Sequence, residues 1–289
     1  MGAIDTLFVK QFSQNIEILS QQKGSKLRNA VYVKTGLTGE DAYLDQIDAR
    51  TAQEKTTRNA DVIYVEGDFE RRKISAITIY DATLIDKEDK LKMLADPTSP
   101  EALNIAYALG RKIDDKLCTA AFGTAYYGKE GGSSETFSAS NQVAVGGVGL
   151  TISKILDAKE ILDNYDVDEE EPRFITVTGT QLKNLLSSTE VKSADYNTVK
   201  ALVKGEIDTF CGFKFIKLST SILDLDGSGY RRVIAWAKNG LALGIWRDMT
   251  NRIDELPQKH YAAQVYAAMD IGVTRLDMDK VVEIICSEA

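Results

Sequence analysis

The sequence predicts an α+β fold, and three observations support this prediction. A helical pattern covers residues 98 to about 122, roughly 36 Å at a rise of ~1.5 Å per residue. A strand pattern of alternating residues runs from Lys259 to Ile271, about 43 Å at ~3.3 Å per residue. From Thr151 onward, shorter helical and strand patterns follow one another along the chain. A helix and a strand of these lengths are both unusual in a globular protein.

The composition is that of a folded globular chain, and its charge disfavours one class of function. Of the 289 residues, 44% are hydrophobic and 27% are charged, enough to bury roughly three quarters of the unfolded surface. No apolar run reaches the ~20 residues of a membrane span, so we expect no membrane association. The net charge of −8 repels phosphate and argues against sequence-specific nucleic-acid binding. It is compatible with a weakly acidic wall that encloses DNA.

The scarce residues exclude several kinds of site. His260 is the single histidine, so a zinc or iron site that needs two histidines cannot be built. The three cysteines, Cys118, Cys211 and Cys286, lie far apart and form no CxxC pair. We therefore expect three reduced, mostly buried thiols in a protein that is assembled in the cytosol.

The first part of the chain has little apolar material of its own. Residues 5–22 have the spacing of a short amphipathic helix. Residues 25–59 are polar, with isolated apolar side chains that are too few to form a private core. We expect this segment either to be disordered or to lie extended on the surface of another subunit.

A β-hairpin is predicted next. Residues 61–66 and 73–80 are rich in Val, Ile, Thr and Tyr, and they flank a turn near Gly67 and Asp68. The basic run 71–73 follows that turn. It has two interpretations, the solvated end of a hairpin or a charged contact with another subunit, and the sequence leaves both open.

The long helix has clear start and stop signals. Thr98 or Ser99 can cap it, Pro100 suits its first turn, and Gly123 marks its end. Its core-facing stripe has spacings of three or four residues and consists of Ala102, Ala106, Leu109, Ile113, Leu117 and Ala120.

The second half of the chain alternates between helix and strand signals. Asn239-Gly240 is a strong signal for a two-residue hairpin turn between two strands. The other predicted elements are a helix over 152–162, an acidic loop over 166–171, a strand over 174–177, a helix capped by Thr180, a helix from Asp195 to Gly205, and strands over 213–218 and 232–237.

Two glycine-rich stretches resemble nucleotide-binding loops, and both depart from the pattern. Residues 123–130 nearly spell a P-loop, but Glu130 replaces the hydroxyl residue that would bind Mg²⁺. Residues 143–150 resemble the start of a dinucleotide fingerprint, but Ile152 occupies the position of the third glycine. We interpret the first as a helix end with a loop and the second as an ordinary loop.

The remaining polar clusters also have structural interpretations. Residues 224–229 match the start of a calcium loop, but Ala235 stands where the loop needs a bidentate Glu. The acidic run 166–171 is typical of a solvated loop, and a lone His260 is more often a packing or surface residue than a base. The sequence therefore predicts no enzyme, and it predicts no catalytic, cofactor-binding or metal-binding residues.

Four longer stretches resemble the major capsid proteins of tailed bacteriophages. They are LSQQKGSKLR at residues 19–28, the segment from Leu84 to Thr124, the segment from Ser193 to Leu218, and the segment from Ile234 to Ile285. The resemblance covers nearly the whole chain in unbroken order. It implies an α+β fold of the Hong Kong 97 type, with an N-terminal arm, an extended β-hairpin loop, a long spine helix, and peripheral and axial domains.

The resemblance also implies a division of the chain. The segments are an N-terminal arm (1–34), an extended loop (35–83), a peripheral domain with the spine helix (84–150), an axial domain (151–250) and strands that return to the peripheral domain (251–289). Because the spine helix begins near residue 98, the preceding chain suffices only for the arm and the loop. The resemblance thus implies a separate scaffolding protein.

The function implied by the resemblance is assembly of a shell. Hexamers and pentamers of this chain would form an icosahedral virion shell around double-stranded DNA, without sequence-specific binding. The other implied partners are a portal protein and possible decoration proteins, and assembly would take place in the cytoplasm of the bacterial host. Two alternatives remain at this stage: an encapsulin-like compartment with the same fold, and a soluble α/β enzyme that uses His260 or the glycine-rich loop.

Overall fold

The computed structural model describes most of the chain between residues 21 and 288. The described residues are 21–47, 49–55, 57–58, 61–62, 64, 69–86, 98–187 and 209–288. The helix predicted from Asp195 lies outside them. So does the helix predicted over 5–22, except for its last two positions, which are not helical.

The described residues form three α-helices and fourteen strands. The helices are α1 (Thr98–Phe122), α2 (Ile152–Asn164) and α3 (Gly179–Ser187). The strands are β1 (Tyr32–Thr35), β2 (Asp41–Ile47), β3 (Phe69–Ser75), β4 (Ile77–Ile85), β5 (Ala125–Tyr127), β6 (Ser133–Glu135), β7 (Gln142–Val143), β8 (Arg173–Val177), β9 (Thr209–Phe210), β10 (Phe213–Lys217), β11 (Arg231–Ala237), β12 (Leu241–Leu256), β13 (Ala262–Arg275) and β14 (Val281–Cys286).

These strands form three sheets, which together with the helices confirm the predicted α+β class. The first has the order β1-β12-β13-β4, the second β7-β14-β11-β8-β10-β9, and the third β2-β3-β5-β6. Contacts between Cα atoms divide the chain into two compact units. One consists of Met1–Ser25, Thr78–Lys112 and Arg247–Asp270, and the other of Lys26–Ile77, Ile113–Trp246 and Ile271–Ala289. The division into arm, loop, peripheral and axial domains stays a prediction.

Many of the buried apolar side chains among the described residues belong to the six-stranded sheet. Strand β8 lies at its centre, parallel to β10 and antiparallel to β11, and all five of its residues are buried. A continuous buried run of this kind is typical of a strand that is covered on both faces. The Trp236 ring stacks on Phe174 with 5.7 Å between ring centroids, so β8 and β11 are also joined through their side chains.

Helix α1 begins and ends as predicted. Leu109, Ile113 and Leu117 of the predicted stripe are buried, and the stripe also includes Ile105 and Ala121. The three predicted alanines are only partly buried. The buried stripe is therefore centred on the larger apolar residues, which release the most apolar surface from water.

The expectation that residues 25–59 are disordered or lie on the surface of another subunit is wrong for part of this segment. Leu27, Val31 and Leu44 are each at most 6% exposed, and β1 pairs in parallel with residues 242–245 of β12. Backbone amides of Lys26 and Leu27 also bond to a helix side chain, as described below. Few apolar residues suffice here, because each one enters a core that distant parts of the same chain supply.

The predicted hairpin has a different first strand. Strand β3 pairs antiparallel with β2, from Asp41 opposite Ser75 to Ile47 opposite Phe69. Positions 61, 62 and 64 lie outside any strand, and the predicted turn falls outside the described residues. The predicted second strand, 73–80, is also split between β3 and β4 at Ala76. Local strand propensity identified residues 73–80 as extended, but it identified neither the break at Ala76 nor the partner strand, because pairing depends on distant residues.

Helix α2 agrees with the prediction, and its N-cap is Thr151. Helix α3 begins one residue before the predicted cap, Thr180. Its start is fixed by Gln181, whose side-chain oxygen accepts from the backbone N–H of Thr178 at 2.8 Å. Thr178 and Gln181 have the Thr-x-x-Gln spacing of a capping box, a signal that the sequence does contain.

The hairpin predicted at Asn239-Gly240 is wrong. Strand β11 before it belongs to the six-stranded sheet, whereas β12 after it belongs to the β1-β12-β13-β4 sheet. A short 3₁₀ turn over Lys238–Gly240 carries the chain from one sheet to the other. A β-carbon on Gly240 would lie 2.9 Å from the carbonyl oxygen of Lys280, so close packing explains the glycine here.

The long strand is half of a long β12–β13 pair. Strand β13 begins at Ala262 rather than Lys259, and β12 extends for 16 residues. His260 and Tyr261 lie between these strands with positive φ angles of 52° and 57°. His260 is exposed, as expected for a surface residue, but it lies outside the strand. The length of β12 was missed because residues 247–255 are exposed and show no apolar alternation.

Candidate interaction surfaces

The two nucleotide-like motifs are parts of the packed structure. Residues 124–128 leave the end of α1, form the short strand β5 and reach Gly128, which has a φ of 97°. The loop at 143–150 carries two carbonyl groups, of Val145 and Val148, that accept hydrogen bonds from the Lys154 ammonium at 2.7 and 2.9 Å. The side chain of Lys154 thus binds backbone oxygens of this loop.

The two acidic motifs form turns. One Asp226 carboxylate oxygen accepts from the backbone N–H groups of Ser228 and Tyr230, both at 2.8 Å, as in an Asx turn. In the acidic run, Glu171 accepts from Lys280 Nζ at 3.0 Å and from the backbone N–H of Asn239 at 2.6 Å. The first cluster is the polar turn that the sequence predicts. The second differs from the predicted solvated loop at Glu171, whose side chain is only 10% exposed and paired with Lys280.

Two searches for sites of other kinds gave no candidate within the part of the chain that the structure describes. No group of three or more His, Cys, Asp or Glu side chains is arranged to hold a metal ion. No helix among these residues is long and apolar enough to cross a membrane.

The outward face of the β2–β3 hairpin carries a ladder of paired charges. Asp41 accepts from Lys73 Nζ at 2.8 Å and from Ser75 Oγ at 2.6 Å, and Arg71 Nε lies 2.6 Å from Asp45. The hydrogen bond from Lys73 lowers the pKa of Asp41, and the same bond raises the pKa of Lys73. These pairs fix the register of the two strands at their solvent-facing side.

Arg72 points to the opposite face and is only 7% exposed. Its guanidinium donates to Glu135 Oε2 at 2.7 Å and to Gln46 Oε1 at 3.3 Å, and it lies 5.3 Å from the centre of the Tyr127 ring. Neither of the two interpretations of the basic run fits Arg72, because this residue joins β2, β3 and β6 inside the chain. The ends of the run, Arg71 and Lys73, pair with the neighbouring strand.

The ladder ends in an exposed apolar pair. Ile47 and Phe69 are opposite each other at the last register position of the hairpin, and they are 58% and 73% exposed. A groove of about 540 Å³ lies beside them and is lined by Asp45, Phe69, Glu70, Arg71, Gly128 and Lys129. Two large apolar side chains together at the end of a hairpin are typical of a contact surface.

Four buried polar side chains with structural roles were not identified from the sequence. Asp114, Lys154, Arg275 and Glu283 are each at most 5% exposed, and each forms bonds to distant residues of the chain. Lys154 Nζ makes a third bond, to the Ile285 carbonyl at 2.8 Å, and burial lowers its pKa. Asp114 had one available signal, since a carboxylate beside Ile113 within the core-facing stripe requires a partner.

Comparison with known proteins identifies one family. Residues 4–288 match the family model described as phage capsid protein. A search of curated proteins gave no match.

Three solved structures illustrate the similarity of fold. The capsid structure of cyanophage P-SCSP1u is 14% identical, with 99% of this chain and 95% of that chain covered and a TM-score of 0.71. The capsid of Ralstonia phage GP4 is 11% identical, with 96% and 95% covered and a TM-score of 0.73. Mycobacterium phage Ogopogo gives 13% identity, 99% of both chains covered and a TM-score of 0.69. Agreement over the full length confirms the phage-coat fold that the resemblance implied.

Proposed function

The chain belongs to the phage capsid protein family, and we propose that it is the major capsid protein of a tailed bacteriophage, whose copies assemble into the icosahedral head shell. The observation that carries this proposal is the family match over residues 4–288. The full-length likeness to the capsids of other phages supports it. The role is structural, and its chemistry is that of contacts between copies of one chain.

The surface of the hairpin supports self-assembly into hexamers and pentamers. Ile47 and Phe69 expose apolar area that a neighbouring copy would remove from water, at about 25 cal/mol per Å². The hairpin itself is rigid, because Arg72 and the charge ladder fix it from both faces. A rigid, apolar-tipped element loses little conformational entropy on binding, so weak contacts repeated around a shell suffice for assembly.

The net charge of −8 supports enclosure of double-stranded DNA without sequence-specific binding. A wall of this charge repels phosphate, so packed DNA stays free to enter and leave. The place of action is the virion shell, and we propose that assembly occurs in the cytoplasm of the bacterial host. The further partners in this proposal are a portal protein, a separate scaffolding protein and possible decoration proteins.

An encapsulin-like compartment shell is the alternative with the same fold. It would enclose enzyme cargo instead of a genome. The family match is to phage capsid proteins, and this match does not favour the compartment alternative.

The first test is to image the purified chain by negative-stain electron microscopy and to measure its mass by light scattering. Closed shells or rings of five and six subunits are the expected result, with a scaffolding protein added where the chain alone stays dispersed. A species that remains a monomer or dimer under both conditions would rule the proposal out.

A variant of the hairpin end makes the test more specific. Phe69→Asp places a charge on a 73% exposed side chain, so we expect an unchanged melting temperature and no closed shells. Leu156→Asp is the matched control, because Leu156 is 49% exposed on helix α2 and lies outside the hairpin. Normal shells from Phe69→Asp would show that the hairpin end is not a contact between copies.

A further inference from the structure

A groove with two lysines lies at one end of the six-stranded sheet. Strands β8 and β10 are parallel, so both end on the same side of the sheet, where Val177 is opposite Lys217. Helix α3 follows β8 on this side. Between the helix and the end of β10 is a groove of about 400 Å³, which we call the lysine groove. It is lined by Gly179, Leu182, Lys183, Leu186, Ser187 and Lys217.

The lysine groove combines apolar side chains with positive charge. Leu182 and Leu186 are half-buried, whereas Lys183 and Lys217 are exposed. Within the described part of the chain, neither of these two ammonium groups is paired with a carboxylate, and the lining contains no acidic residue. The ammonium of Lys26 adds a third positive charge, since it donates to the backbone carbonyl of Lys217 at 2.7 Å. A groove of this composition fits an anionic partner.

The acidic loop (166–171) lies at the opposite end of the same strand. Only Pro172 separates it from β8, whose five residues span about 16 Å at ~3.3 Å each. Glu171 pairs with Lys280 at 3.0 Å, which holds the end of the loop against the sheet. The four other carboxylates of the loop are exposed, and none of them forms an ion pair with a described residue. They belong to Asp166, Asp168, Glu169 and Glu170.

We propose that the acidic loop of one copy of this chain docks against the lysine groove of the next copy. This inference rests on the proposed function, since it names one contact between neighbouring subunits of a ring. Charge complementarity favours this partner, because four exposed carboxylates on the loop face the ammonium groups of Lys26, Lys183 and Lys217. Two grooves or two acidic loops repel each other, so opposite charge also fixes which surface meets which.

The positions of the two surfaces also favour a second copy. Strand β8 is buried over all five residues and pairs with β10 and β11, so it holds the acidic loop and the lysine groove apart within one copy. The two are different surfaces of one molecule, and a contact between them is therefore heterologous. A heterologous contact that is repeated by rotation closes into a ring. Rings of five and six are what an icosahedral shell requires.

Charge reversal tests the contact on the full-length protein. The groove variant carries Lys183→Glu and Lys217→Glu, and the loop variant carries Glu169→Lys and Glu170→Lys. Each variant places like charges against each other, so we expect the fraction of chain in rings and shells to fall at least about tenfold. Analytical ultracentrifugation measures this fraction, with scaffolding protein added where the unaltered chain needs it. The melting temperature of the subunits should stay unchanged, because all four side chains are exposed.

Restoring opposite charges separates this contact from a general effect of charge. A chain that carries all four substitutions has both surfaces reversed, and it is expected to assemble again. A 1:1 mixture of the groove variant and the loop variant should recover rings of six, because the two chains can alternate around an even ring. Rings of five should stay rare in the mixture, since five positions cannot alternate.

A matched control changes the net charge by the same amount elsewhere. It carries Lys159→Glu on helix α2 and Lys259→Glu in the exposed turn before β13. Both positions lie outside the lysine groove, the acidic loop and the β2–β3 hairpin. This control is expected to assemble as the unaltered chain does.

Three results would overturn the contact. Normal shells from the groove variant or the loop variant would refute it and leave the proposed function intact. Loss of assembly that neither the mixture nor the chain with four substitutions restores, or that the control shares, would show that the two surfaces do not meet. Failure of the unaltered chain to form any assembly, with scaffolding protein added, would remove the proposed function and this contact with it.

Discussion

At the scale of single residues, buried polar groups connect parts of the chain that are far apart in sequence. Arg275 is 1% exposed, and its guanidinium donates to the carbonyl oxygens of Ala121 and Gly123 at 3.0 and 2.8 Å. A third bond reaches the Glu135 carbonyl at 3.1 Å. Since the last carbonyls of a helix have no partner within it, Arg275 completes the C-terminus of α1.

Replacing Arg275 should be among the most damaging single changes. Arg275→Met leaves three carbonyl groups without their donor, so we expect a loss of about 3 kcal/mol or more in the free energy of unfolding, measured by denaturant titration of subunits. Arg275→Lys should recover only part of the lost free energy of unfolding, because an ammonium group cannot reproduce the planar arrangement of N–H donors of the guanidinium. The control is Arg71→Met, which removes an exposed pair with Asp45 and should cost less than about 1 kcal/mol.

Asp114 fixes the start of the described chain to the helix. Its carboxylate accepts from the backbone N–H groups of Lys26 and Leu27 at 3.0 and 3.1 Å, and it is fully buried. We expect Asp114→Ala to lower the free energy of unfolding by about 3 kcal/mol, because two buried N–H groups lose a charged acceptor. Glu160→Ala, an exposed carboxylate on α2, should change it by less than about 0.5 kcal/mol. Equal effects of the two changes would contradict this role.

The cysteines should differ in reactivity. Burial raises the pKa of the Cys286 thiol to about 11 and raises the pKa of Cys118 as well, so both are protonated at pH 8. Because the thiolate is the reactive form, neither should react with a thiol reagent in the folded subunit. Cys211 is only partly buried. The expected titration is one thiol in folded protein and three in denaturant, and rapid reaction of three thiols without denaturant would be the opposite result.

At the scale of elements, close packing decides where the long helix meets the N-terminal segment. A β-carbon on Gly110 would lie 2.6 Å from the Cα and carbonyl carbon of Gly24 and 2.7 Å from the backbone nitrogen of Ser25. These are backbone atoms, which cannot rotate away as a side chain does. Gly110 therefore permits a close backbone approach in the middle of a 25-residue helix.

This contact reverses the usual effect of replacing a helical glycine. In an exposed helix, Gly→Ala stabilises by about 1 kcal/mol. Gly110→Ala should instead lower the melting temperature, with a cost of about 1–3 kcal/mol for the forced displacement. Gly179→Ala, at the start of α3 with no atom within 4 Å of the new β-carbon, should be neutral or stabilising. Differential scanning calorimetry of both variants decides the matter, and a stabilised Gly110→Ala would refute the contact.

At the scale of the whole molecule, part of the segment that is predicted to be an N-terminal arm is buried within the same chain. The resemblance implies that residues 1–34 form an N-terminal arm and that the rest of the chain folds without it. Leu27, Ala30 and Val31 in this range are buried, however, and the Trp236 indole donates to the Ala30 carbonyl at 2.9 Å. The later part of the predicted arm is thus part of the core of the same chain.

Two truncations separate the parts of this segment. Removal of residues 1–20 leaves the buried Leu27, Ala30 and Val31 in place, so we expect a folded subunit that no longer closes into shells. Removal of residues 1–34 also deletes all of β1 except Thr35, together with three buried apolar side chains. This is a loss of several kcal/mol, which is comparable to the stability of a typical domain. Circular dichroism should find the second truncation unfolded. A folded second truncation would restore the larger arm.

The sequence alone determined the features that depend on local chemistry. The ends of α1, its stripe through Leu109, Ile113 and Leu117, the start of α2, and strands β8, β10 and β11 follow from periodicity and end signals within one element. The family likeness followed from long ordered stretches, which need no knowledge of contacts. The defects in the ligand-binding motifs were also evident from the sequence, because each motif lacks one required residue.

Tertiary structure alone decided which distant residues meet. The pairing of β2 with β3, the change of sheet at Gly240, and the burial of Leu27 and Val31 all depend on residues that are remote in sequence. The buried charges followed the same rule, since Asp114 and Arg275 bond to backbone groups about 90 and 150 residues away. Local sequence patterns indicate which face of an element is apolar. The free energy of a contact, however, depends on the residues on both sides of it. One partner's sequence therefore cannot identify the other.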